Sequence, residues 1–211
     1  MTGVRESLRL ALRDLYSNSW RLVPVNALLG LVLAAVAAAA LAYHALVVFF
    51  AVAGPVGAAL VHCAVTVTRT GNLELRDAFR GLRTHWRRGL VLGASTTAFA
   101  ALAVVAISFY GRSHAAWPLT FVAFYLVVLL GIYQLVAWTL AVAEPDRRLR
   151  DAYARALELC LRRPGATLGL GLALLLVNGA GVAAGVMPFL TVTLAYSSLA
   201  AAHFVLPRPQ E

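Results

Sequence analysis

Leu75-Arg76-Asp77-Ala78-Phe79-Arg80-Gly81-Leu82-Arg83-Thr84-His85-Trp86-Arg87-Arg88 runs directly into an apolar stretch, 89–110. Leu75, Ala78, Phe79, Leu82 and Trp86 recur at steps of three and four while Arg76, Arg80, Arg83 and Arg87 follow the opposite side, so the spacing predicts an amphipathic helix. The segment behind it holds no Asp, Glu, Lys or Arg and reaches the ~20 residues that a helix needs to cross a bilayer. This pairing decides the fold, because the phrase that opens it returns. Leu8-Arg9-Leu10-Ala11-Leu12 and Leu149-Arg150-Asp151-Ala152-Tyr153 are versions of Leu75-Arg76-Asp77-Ala78-Phe79, and each precedes two apolar segments.

Working outward, the apolar segments fall at 22–42, 46–68, 89–110, 118–142, 165–184 and 187–206. Hydrophobic residues make up 61% of the 211 and charged residues 13%, more apolar surface than one water-soluble core could hide. The expected fold is therefore all-α and polytopic, with six transmembrane helices as three helical hairpins, each preceded by a cytoplasmic amphipathic helix. One transmembrane domain, 1–211, carries pseudo-repeats of about 1–68, 69–142 and 143–211. Of the 18 basic residues, all Arg, all but Arg112 lie in the N-terminal segment, the long loops 69–88 and 143–164 or the C-terminal tail. That is the positive-inside bias, and it places both termini in the cytoplasm. It also accounts for the net charge of +9 without nucleic acid as a partner. The run from 22 to 41 is long enough to be retained as a span rather than cleaved as a secretion signal.

Polar residues inside the spans form a pattern of depth. At ~1.5 Å per residue from the basic boundary, Asn26 lies about 6 Å deep, His62 and Ser95 about 9 Å, and Gln134 about 12 Å. These four are the candidates for a polar cavity in the cytoplasmic half, against the plainer alternative of hydrogen bonds between helices. Gly54-Pro55 interrupts the second span, which predicts a kink or broken helix turned toward protein. Arg76, Arg80, Arg83 and Arg87 are the candidates for contact with a docking partner or anionic lipid. Cys63 and Cys160 have neither pairing geometry nor metal-ligand spacing. No Walker-type loop, His-Glu-x-x-His, nucleophile elbow or paired intramembrane carboxylate is present, so no catalytic residue, metal or cofactor is assigned and the chain is not expected to be an enzyme.

Asn26, the run Gly54-Pro55-Val56-Gly57-Ala58-Ala59-Leu60, Thr70-Gly71-Asn72 leading into Leu75-Arg76-Asp77-Ala78-Phe79, Trp86-Arg87-Arg88 and Arg163-Pro164 together resemble the YesL-like family of bacterial integral membrane proteins. Asn72 and Val52-Ala53 stand where that family typically has an acidic residue and Thr-Ile, which marks a divergent member. The resemblance implies a bacterial plasma-membrane protein without catalytic motifs, an auxiliary component associated with carbohydrate uptake. Its expected partners are membrane lipids, with a transporter subunit and a homo-oligomer left open. The alternative is a small-solute transporter or binding protein that works through the polar cavity.

Overall fold

The computed structural model describes residues 3–43, 46–112, 117–185 and 188–206. All regular structure among them is helical: α1 (Val4–Ser17), α2 (Ser19–Tyr43), α3 (Leu46–Thr70), α4 (Leu75–Gly111), α5 (Trp117–Ala143), α6 (Leu149–Arg162), α7 (Pro164–Ala184), a π-helical turn (Phe189–Thr193) and α8 (Leu194–Val205). Among the described residues α4, α5 and α7 are long and apolar enough to cross a membrane, and a fourth crossing arises if α1 and α2 count as one bent span. Large apolar side chains such as Leu102, Phe109, Phe121 and Leu176 face outward along them. A water-soluble fold would not leave so continuous a belt uncovered.

The core sits where α3, α5 and α8 end together. Ala58, Ala59, Cys63 and Val67 of α3, Val136, Ala137 and Ala141 of α5, and Leu199, Ala200 and Phe204 of α8 are buried there. α3 is central and packs on α2, α4, α5 and α8. Its tightest crossing is with α4. A Cβ on Gly54 would fall on the Gly89 carbonyl oxygen, and a Cβ on Gly89 would come within 2.6 Å of the Pro55 Cα. Gly54-Pro55 thus faces α4, and of the kink or break expected there no break occurs. α3 continues through Pro55, whose missing N–H and adjacent glycine permit the backbone contact instead.

The three joints between basic segment and apolar segment differ. α1 meets α2 at 93°. Asn18 makes that corner: its Nδ2 donates to the Asp14 carbonyl at 3.2 Å, closing the end of α1, and to the Gly71 carbonyl at 3.2 Å across the chain. Gly71 itself turns with φ of 73°, the left-handed region that suits glycine. α6 and α7 part at Arg163, and Pro164 opens the new helix as its first residue. The middle joint is absent. No proline lies between Leu75 and Gly111, and a capping box of Glu74 and Asp77 starts a single helix of 37 residues. The separate middle amphipathic helix expected from the sequence is thus the first part of α4.

α1 is amphipathic in a different sense from the first part of α4. Its buried stripe is Ser7, Ala11 and Leu15, while Leu12 and Tyr16 remain exposed. The small residues are buried because α1 packs on α8. There Asp14 Oδ2 lies 2.8 Å from His203 Nε2 and the Tyr196 hydroxyl donates to the Leu8 carbonyl at 3.2 Å.

Candidate functional site

Two sets of side chains carry chemistry at the basic end of the molecule: a buried polar layer and an exposed arginine face. In the layer, α3 and α4 bring His62 Nδ1 and His85 Nε2 to 3.3 Å. One ring donates and the other accepts, so at least one imidazole is neutral. Gly81 makes room for this pair, since a Cβ there would lie 2.8 Å from His62 Cδ2. A second group joins α4, α5 and α6. Ser95 Oγ lies 2.6 Å from the Tyr153 hydroxyl, which donates to Gln134 Oε1 at 3.2 Å. One turn away, Trp138 Nε1 donates to Thr96 Oγ1 at 3.0 Å.

The four residues expected to line one polar cavity are therefore not gathered around one. Ser95 and Gln134 share a network through Tyr153, His62 belongs to the histidine pair, and Asn26 Nδ2 donates to the Leu22 carbonyl of its own helix at 2.7 Å. Gln134 lines a cavity of about 390 Å³ whose walls are mostly apolar, and Asn26, His62 and Ser95 are not among its walls. His85 and Tyr153 were not singled out from the sequence, because both lie in basic amphipathic stretches that read as surface. For His85 the signal is position: it stands on the side of α4 opposite the exposed Arg76, Arg80, Arg83 and Arg87. Among the described residues no three His, Cys, Asp or Glu side chains gather as a metal set.

The arginines divide into two classes. Arg69 Nη2 donates to the Ala143 carbonyl at 2.9 Å, and Arg88 donates to the carbonyls of Ala141, Glu144 and Arg147 at 2.9, 3.2 and 2.5 Å. Two guanidiniums from α3 and α4 thus hold the end of α5, where unpaired carbonyls and the negative end of the helix dipole favour a cation. Arg21 likewise donates to the Leu73 carbonyl at 2.8 Å, and Arg155 donates to both carboxylate oxygens of Glu144, at 2.5 and 2.7 Å. These are internal clamps. By contrast Arg76, Arg80, Arg83 and Arg87 are all exposed along the first half of α4. Arg76 pairs with Glu74, Arg80 lies 3.4 Å from Asp77, and Arg87 stacks over Trp86 at 5.2 Å. Pairs this exposed contribute little to stability and leave their guanidiniums free to face a partner.

Cys160, on α6, is half-buried, and that burial pushes its thiol above the ordinary value while a hydrogen bond with Thr167 pulls it back. No protein family, curated protein or solved structure matches this chain.

Proposed function

We propose that this chain is an integral plasma-membrane protein of six spans, arranged as three hairpins with both termini cytoplasmic, that docks a partner protein through Arg76, Arg80 and Arg83, with Arg87 at the lipid surface. It acts as an auxiliary component with no catalytic step of its own. The observation that carries docking is the continuity of α4. If its apolar half, 89–110, fills the hydrocarbon, Arg80 and Arg76 stand roughly 14 and 20 Å beyond it at ~1.5 Å per residue. The headgroup layer is only about 5–8 Å deep on each side, and salt screens exposed charges over about 8 Å. Arg87, beside Trp86, is at lipid height; Arg76 and Arg80 stand above it. A protein surface with acidic groups suits that reach better than anionic headgroups do. The YesL-like resemblance makes a carbohydrate-uptake transporter subunit the first partner class to test.

Affinity purification of the full chain in mild detergent tests this. A specific co-purifying membrane component is expected, lost in the double variant Arg76→Gln, Arg80→Gln and retained in Arg87→Gln. Retention in the double variant, or loss with Arg87→Gln alone, would place the contact at the lipid surface and reject the docking role.

A further inference from the structure

α6 is tied to the end of α5 by two side chains that stand two residues apart, about 200° around the helix from each other. Tyr153 reaches Gln134 at 3.2 Å and Ser95 at 2.6 Å, and its own carbonyl accepts from the Tyr133 hydroxyl at 3.2 Å. Arg155 reaches the Glu144 carboxylate, just beyond α5, at 2.5 and 2.7 Å. Gln134 and Glu144 are separated by roughly 15 Å along the direction of α5. A helix lying alongside α5 would turn a single side to it. One whose opposite sides meet it at two levels crosses it, so α6 lies across the basic end of α5, where the apolar belt gives way to the arginines.

Tyr153 marks the side of α6 turned toward the belt and Arg155 the side turned away. Leu157 and Leu161 follow Tyr153 at steps of four and are 50% and 70% exposed. Glu158 and Arg162 follow Arg155 at steps of three and four and pair with each other at 2.5 Å. Between 147 and 163 six arginines stand against two acids, Asp151 and Glu158. Arg147 and Arg155 hold Glu144 and Arg162 holds Glu158, which leaves Arg148, Arg150 and Arg163 exposed and without an ion pair among the described residues. Arg150 also shares a side of α6 with Leu157 and Leu161, seven and eleven positions on. A guanidinium in line with uncovered leucines suits the edge of a bilayer, its stem on acyl chains and its head among phosphates.

We propose that α6 lies half-sunk in the membrane surface, with Leu157 and Leu161 among acyl chains, and that Arg148, Arg150 and Arg163 bind anionic phospholipid headgroups. Unpaired guanidiniums call for phosphate, and the leucines beside them call for the chains that a phospholipid carries and an acidic protein surface lacks. α4 differs in geometry: it carries its arginines straight out from the belt, whereas α6 is laid along its edge. The role is independent of docking through α4.

Electron paramagnetic resonance on the full chain in bilayers tests it. In a Cys63→Ala, Cys160→Ala background, nitroxides on Leu157→Cys and Leu161→Cys should be relaxed more by oxygen, which concentrates in lipid, than by an aqueous nickel chelate. A nitroxide on Glu158→Cys should show the reverse. Spin-labelled phosphatidylglycerol should be held more strongly than spin-labelled phosphatidylcholine, and this preference should fall about fivefold in the triple variant Arg148→Gln, Arg150→Gln, Arg163→Gln. The double variant Arg76→Gln, Arg80→Gln should leave it unchanged. Nitroxides at 157 and 161 open to the chelate, no preference in the parent protein, a preference that survives the triple variant, or an equal fall in the α4 double variant would each overturn the proposal.

Discussion

Two glycines in the membrane-length helices have opposite reasons for being there, and substitution separates them. Gly54→Ala places a methyl on the Gly89 carbonyl, a clash with backbone that no side-chain rotation relieves, and should destabilise by about 1–3 kcal/mol or more. Gly131→Ala meets nothing and should stabilise by roughly 0.5–1 kcal/mol through helix propensity. Thermal unfolding in one detergent compares the signs directly. Cys160 offers a pH test. Because burial raises its pKa, the stability from its neutral thiol is present below the ordinary 9.0 and is lost as pH rises through the elevated folded value. Only thiolate alkylates, so its reaction with iodoacetamide should be slow at neutral pH and still be accelerating above 9.0. At this scale Gly54-Pro55 was legible as a close approach, whereas its counterpart Gly89 read only as the boundary between basic and apolar stretches. The polar layer was legible in height but not in direction. Counting residues from a boundary fixes depth, but each step along a helix turns the side chain by about 100°, so His62 and Ser95 at equal depth address different neighbours.

At the scale of elements, α5 is held at its end by groups from two other helices. Arg88→Gln should therefore cost about 1.5–3 kcal/mol, the range for hydrogen bonds to a charged group, and lower the unfolding temperature. Arg88→Lys should restore little of it, because an ammonium cannot reproduce the planar fork that reaches three carbonyls. Rescue by Lys in thermal unfolding would reduce the clamp to simple charge. Of the six expected spans, those at α4, α5 and α7 were readable from apolar length, whereas the expected span 187–206 is a π-helical turn followed by a helix of 12 residues. The joints were readable only where a residue forces one: Pro164 does, Asn18 does so through contacts distant in sequence, and nothing interrupts 75–111. The internal arginines were hidden for a related reason. Arg69 and Arg88 look like their basic neighbours until the end of α5 is brought to them.

For the whole molecule, orientation is the open quantity, and charge predicts it. Arg112→Cys should react with an impermeant maleimide in intact cells, whereas Arg80→Cys should react only after lysis; the reverse pattern would invert the chain. The apolar belt and the basic end were both visible in composition. The closure of the first helix onto the last was not, because Asp14 with His203 and Leu8 with Tyr196 carry no local pattern. That closure has a consequence in time. Leu8 and Tyr196 are 188 residues apart, so at roughly 5–20 residues per second the ribosome needs about 10–40 s to deliver the partner of α1. Until then α1 lacks the helix on which it packs most extensively. Its exposed Leu12 and Tyr16 beside Arg9 and Arg13 suit it to wait on the membrane surface, so the same helix serves first as a moored end of a growing chain and afterwards as the clasp that shuts it.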